Sequence, residues 1–126
     1  MESAKRGTEA FNRLDLDAYA DSCTADYEWH SLLAGTVEGK QNFLGRQGIE
    51  EYFRELRDAE YLRLVPAEFR DLGDRVLLLG KLEGRGQGSG VKGESPFAAV
   101  IDYREGKSWR NRVFNDHGEA LRAAGL

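Results

Sequence analysis

A chain of 126 residues is long enough to bury a core and short enough for one unit, so residues 1–126 are expected to form a single domain. Its 22 acidic and 18 basic residues give a net charge of −4, with the signs interleaved as in "EEYFRELRDAE", which excludes the basic stripe that nucleic acid requires. Cys23 is the only cysteine, leaving no internal disulfide or cysteine-cluster metal site, and no run approaches the roughly 18 apolar residues of a membrane span.

"MESAKRGTEAFNRL" has no apolar signal core, so a cytoplasmic location is expected. Ala4, Ala10, Phe11 and Leu14 recur at helical spacing and define one face of a first helix. "LDLDAYADSC" reads as a short second helix with Asp15 as its N-cap. "DYEWHSLL" alternates as a strand does, and "LAGTVEGKQNFLG" reads as a loop. The strongest helical pattern lies in "GIEEYFRELRDA", where Ile49, Tyr52, Phe53, Leu56 and Ala59 form an apolar stripe. Strands come next near Tyr61–Asp71, Arg75–Gly84, Phe97–Tyr103 and Ser108–Asn115, with turns at Gly73–Asp74 and Glu105–Gly106. In "DHGEALRAAGL", Asp116 and Glu119 have capping-box spacing and Gly125 suits a helix C-terminus.

One motif invites a phosphate-binding reading. "GRGQGSGVKG", residues 84–93, holds five glycines, and Gly88, Gly90 and Gly93 spell G-x-G-x-x-G. A dinucleotide cradle needs a helix after the glycines, so that its N-terminus faces the pyrophosphate. The chain instead continues as "ESPFAAVIDY", with Pro96 and then a β-like run, so the stretch reads as a link between two strands. No cofactor is expected. Metal binding would need three or more converging ligands, and none is expected either.

Helices come first and successive strands after them. That segregation predicts an α+β fold with a curved antiparallel sheet, three helices over one face and a short C-terminal helix. A curled sheet roofed by helices makes a cone with a pocket inside.

The order helix–helix–strand–helix–four strands, with "GRQGIEEYF", "GDRVLLLG", "GRGQGSG", "YREGK" and "FNDHGEALRAAGL", resembles the SnoaL-like branch of the nuclear transport factor 2-like (ketosteroid isomerase-like) superfamily over nearly the whole chain. The resemblance implies the cone-shaped fold and a homodimer, for which the under-covered outer face of the sheet is the expected contact. Relatives include ketosteroid isomerases, polyketide cyclases, epoxide hydrolases, dehydratases and non-catalytic binding modules, so function has to come from the site.

Overlaid on the isomerases, the general-base Asp that ends their first strand falls on Ser31, their tyrosine donor on Gly7 and their protonated Asp donor near Ala98. A proton shuttle between carbons needs a carboxylate base and an enolate-stabilising donor, and neither is present at these positions. The last-strand Asp of the limonene-type epoxide hydrolases falls on Val113. The Asp that opens the final segment of the polyketide cyclases matches Asp116, nine residues ahead of Gly125, whereas a histidine of those cyclases falls near Ala99. Asp116 is therefore both a candidate acid/base and a candidate helix cap.

Period-2 alternation puts Tyr27, Trp29 and Ser31 on one face of the first strand, and Asn111, Val113 and Asn115 on one face of the last. By resemblance both faces point into the cone, with Tyr52, Phe53 and Leu56 covering it. Asn111 and Asn115 are the informative pair, because buried amides need partners in each other, in water or in a ligand. His30 and His117 are expected at the surface. Three readings stay open: a protein that binds a small apolar or polycyclic molecule, a cyclase-type enzyme using Asp116 with Asn115 or Trp29 as polar helpers, and a dimeric interaction module.

Overall fold

In a computed structural model, which describes residues 2–31, 42–58, 62–85 and 92–126, the helical faces read from the sequence become the roof of a sheet. Helix α1 (Glu2–Arg13) buries Ala4, Thr8, Ala10 and Phe11. The chain turns sharply at Leu14, whose φ is 52°, and enters α2 (Leu16–Asp21), where the Asp15 carboxylate accepts from Ala18 N at 3.1 Å. Strand β1 (Cys23–Ser31), the short β2 (Asn42–Leu44) and helix α3 (Gly45–Asp58) follow. Then come β3 (Leu62–Asp71), β4 (Arg75–Arg85), β5 (Lys92–Arg104), β6 (Lys107–Phe114) and helix α4 (His117–Ala123).

The six strands form one curved, unclosed sheet in the order β2-β1-β6-β5-β4-β3. The α+β class holds, but the sheet is mixed rather than antiparallel throughout, because β1 runs parallel to β6. These strands are joined by no hairpin. Most of the chain lies between them, and long connections are what permit a parallel pair. The hairpins behave as expected: Glu105 and Gly106, both at positive φ (53° and 81°), close the two-residue link between the register partners Arg104 and Lys107.

Both prolines sit where a strand can lack a donor. Pro66 lies on the edge strand β3, at its bulge. Pro96 lies in β5 opposite Lys81 of β4, ahead of Ala98, where the described pairing with β6 begins. Strand β5 therefore starts at Lys92, five residues before the expected Phe97. Gly84 pairs with Gly93 and Arg85 with Lys92, so the flanks of the glycine-rich stretch are antiparallel neighbours and a strand succeeds it. That context rules out the phosphate cradle; Gly88 and Gly90 themselves lie outside the described residues, as does Ala59 of the α3 stripe. Strand β2 falls where a loop is expected, since three residues carry no legible alternation. Its one buried residue, Phe43, stacks on Tyr52 with ring centroids 4.9 Å apart.

The sheet buries both faces. Val76, Leu78, Leu82, Phe97, Ala99, Ile101 and Val113 share a core with α1, α2 and α3. Their neighbours in alternation, Leu77, Leu79, Ala98 and Val100, point the other way and pack under Ala120 of α4. At one point the sheet leaves no room for a side chain: a Cβ on Gly80 would lie 2.4 Å from the Val65 carbonyl oxygen of the bulged β3.

Candidate functional site

Between the roof and the concave core face lies a cavity of about 40 Å³, room for roughly three water molecules. Ala4, Gly7, Thr8 and Phe11 of α1 border it from above, with Tyr19 of α2 and Tyr52 of α3. Trp29 of β1 and Ser108, Asn111 and Val113 of β6 form one wall, and Phe97, Ala99, Ile101 and Tyr103 of β5 form the next. Among the described residues, none of those that line it carries a charged side chain.

The aromatic rings hold one another in place. Trp29 stacks on Tyr19 with centroids 4.9 Å apart and planes 11° from parallel, and Tyr52 meets it edge-on at 4.2 Å. The Tyr19 and Tyr27 hydroxyls share a 2.8 Å hydrogen bond, and Asn111 Nδ2 donates to Tyr19 Oη at 3.4 Å. Three buried polar atoms of lining residues have no partner among the described residues: Trp29 Nε1, Asn111 Oδ1 and Ser108 Oγ. Burial pushes the phenols of Tyr19 and Tyr27 well above their ordinary value and raises Tyr103 as well. The Cys23 thiol, also buried, is pushed up to about 12 and donates to the Tyr19 carbonyl at 3.3 Å. These hydroxyls and this thiol are therefore neutral near pH 7, when the described lining offers dipoles and rings but no charge.

Of the residues expected at the pocket, Trp29, Tyr52, Asn111 and Val113 line it. Tyr27 and Phe53 stand one layer back. Tyr27 reaches Tyr19 through its hydroxyl, and the Phe53 ring packs against Tyr19 at 5.5 Å and Trp29 at 6.1 Å. The side chains of Ser31 and Leu56 are outside those described. Asn115 is exposed and does not line the cavity: β6 ends at Phe114, so the alternation that would turn Asn115 inward stops one residue earlier. Asp116 is likewise exposed and absent from the lining, and its Oδ1 accepts from Glu119 N at 3.1 Å as the N-cap of α4. Gly7 and Ala99, where relatives carry functional side chains, do border the cavity, whereas Ala98 faces the opposite side of the sheet.

Tyr19 is the central lining residue that no local pattern reveals. Its spacing from Leu16 and Ala20 marks a helical apolar face, but nothing nearby in the chain shows which strands that face meets. His117 also departs from expectation. It is half-buried, and its Nε2–H donates to the carbonyls of the register partners Gly80 and Phe97, at 2.9 and 3.0 Å, tying α4 to the sheet. His30 is half-buried on the outer face as well, with Nδ1 2.6 Å from Asn42 Oδ1 and Nε2 3.0 Å from Glu28 Oε1.

That outer face carries a continuous rung of charge. Glu28, Arg110, Asp102 and Arg75 are successive register partners across β1, β6, β5 and β4. The buried Asp102 carboxylate accepts from Arg75 Nε at 2.6 Å and Arg110 Nε at 2.8 Å, and Arg112 lies 3.8 Å away. Arg112 keeps two buried guanidinium nitrogens without a hydrogen-bond partner among the described residues. Desolvation lowers its pKa from the ordinary value, with the Arg110 charge adding to the effect. Among the described residues no three His, Cys, Asp or Glu side chains converge as metal ligands, and no helix is long and apolar enough to cross a membrane.

An open six-stranded sheet in this order, roofed by three helices over a cavity, defines the nuclear transport factor 2-like class of α+β proteins. Within it the chain belongs to the SnoaL-like domain family, whose pattern matches residues 4–111. Among solved structures it is similar to TerC co-crystallized with polyporic acid, at a TM-score of 0.81 and 24% identity over 99% of this chain and 97% of that one. It is similar also to a nuclear transport factor 2-like protein of unknown function from Burkholderia pseudomallei, at 0.81 and 22% over 100% and 97%. A third is the epoxide hydrolase/cyclase-like enzyme SalBIII of pyran ring formation in salinomycin, at 0.73 and 20% over 93% and 90%. At such identities the likeness shows the fold. No curated protein matches the chain in sequence.

Proposed function

We propose that this protein binds a small, uncharged, largely apolar molecule in the cavity under its helices. The observation that carries the reading is the lining itself: among the described residues it consists of rings, aliphatic groups, hydroxyls, one thiol and one amide, with no carboxylate or imidazole to act as a base near neutral pH. A charged ligand would be desolvated there without a counter-charge. A relative whose structure was obtained with polyporic acid supports small-molecule binding as a use of this fold. The cyclase-type alternative asks Asp116 to act as acid/base, and its carboxylate is outside the lining and already engaged as a cap.

Binding is tested by titrating p-xylene into the protein and following amide resonances of β1 and β6. Val113→Trp adds more volume than the cavity holds and should abolish the shifts; equal shifts in wild type and Val113→Trp would sink the reading. The protein is further proposed to act as a homodimer through the outer face of the sheet. Self-complementary charges on one rung, and the Arg112 nitrogens that lack a hydrogen-bond partner among the described residues, support this contact. Sedimentation at micromolar concentration should give twice the 14.1 kDa chain mass, and a clean monomer would refute it.

A further inference from the structure

The lining residues with polar atoms left over include a donor and an acceptor on adjacent strands. Trp29 and Asn111 are register partners on β1 and β6, and both are more than nine-tenths buried. An indole Nε1–H only donates and an amide Oδ1 only accepts. Neither has a partner among the described residues. The other end of the Asn111 amide donates to Tyr19 Oη at 3.4 Å, and the Trp29 ring packs against both Tyr19 and Tyr52.

A single atom satisfies both if it accepts and donates at once, which is what a hydroxyl does. A ketone or ether oxygen serves the indole and leaves the amide oxygen unmet. A carboxylate cannot donate, and an aliphatic amine is charged at neutral pH, which the uncharged lining disfavours. The rings of Phe11, Tyr19, Tyr52 and Phe97 around the space suit a flat aromatic body. Size sets the upper limit. A cavity of about 150 Å³ admits benzene, and this one measures about 40 Å³, so even one ring requires side chains to give way and a fused ring system exceeds it.

We propose that the cavity selects an uncharged single-ring phenol, its hydroxyl accepting from Trp29 Nε1–H and donating to Asn111 Oδ1. This rests on the cavity being a small-molecule site, as proposed above.

The test compares p-cresol, 4-methylanisole and p-xylene by calorimetric titration of the full chain. p-Cresol and p-xylene differ by a hydroxyl in place of a methyl group, at nearly constant size. p-Cresol should bind about tenfold tighter than p-xylene, and 4-methylanisole should lose most of that advantage because it cannot donate. Trp29→Phe and Asn111→Leu should each weaken p-cresol toward the p-xylene level without weakening p-xylene. If either variant fails to fold, the three-ligand comparison on the wild type decides. Equal binding of p-cresol and p-xylene overturns the hydroxyl assignment and leaves the apolar site standing. Tighter binding of p-toluamide than of p-cresol overturns it in favour of an amide. Absence of binding by every ligand, with wild type and Val113→Trp indistinguishable, removes the small-molecule site and this inference with it.

Discussion

Replacing Asp116 separates its two uses, since one carboxylate serves as cap in the structure and as acid/base in the cyclase reading. The Oδ1···Glu119 N bond is 3.1 Å long, and Asp116 is exposed, so water can take over part of what is lost. Asp116→Ala should therefore cost about 1 kcal/mol or somewhat less, within the usual range for an N-cap. At 126 residues that lowers the melting temperature by roughly 3–4 °C. Asp116→Asn keeps an acceptor oxygen and loses only the charge at the helix N-terminus, on the order of a few tenths of a kcal/mol. The rest of α4 is secured independently. His117 bonds two sheet carbonyls, Ala120 is fully buried, and Leu126 N and Gly125 N close the C-terminus on Leu121 O and Arg122 O. The variant should consequently lose stability without losing its fold. Thermal and urea denaturation of wild type, Asp116→Asn and Asp116→Ala measure the series, with p-xylene binding followed in parallel. The expected order is wild type at or just above Asp116→Asn, Asp116→Ala lower, and binding unchanged in all three. Equal stability of all three would refute the cap assignment, and an activity that is then lost in Asp116→Asn would bring the acid/base role forward.

Gly80→Ala should destabilise by about 2–3 kcal/mol in urea titrations, because its Cβ meets the backbone of Val65 and Pro66, which cannot rotate away as a side chain would. Gly7→Ala makes the opposite case: a Cβ there meets nothing within 4 Å, so the helix should gain about 0.5–1 kcal/mol, and a loss would mean that α1 sits differently over the cavity. Asp102→Ala leaves three guanidinium groups without their carboxylate and should cost roughly 2–3 kcal/mol, less than a fully buried pair because the arginines are partly exposed; a neutral effect would show that the rung is solvated. Stability should also fall at high pH. The Cys23 thiol is raised from its ordinary 9 to about 12 in the fold, so its contribution is complete below pH 9 and lost between 9 and 12, with Tyr19 and Tyr27 acting in the same sense. A denaturation midpoint that holds constant from pH 9 to 12 would contradict that burial.

The features legible in the chain alone are those set by interactions spanning few residues. The apolar face of α1, the Asp15 cap and the Asp116–Glu119 spacing are settled within one or two helical turns. The inward side of Trp29, Asn111 and Val113 comes from the two-residue period of a strand. The same rule misplaces Asn115, because where a strand stops depends on its neighbours and β6 ends at Phe114. The parallel pairing of β1 with β6 lies beyond any local pattern, as do the three-residue β2, the seat of His117 on the Gly80 and Phe97 carbonyls, and the arrival of Tyr19 beside Trp29 and Asn111. These depend on contacts between segments far apart in the chain, which form only when the sheet curves and both its faces are covered. The cavity belongs to that second group. Its walls come from α1, α2, α3 and five strands, and the lining donor and acceptor, Trp29 and Asn111, are neighbours because two distant strands adopt one register.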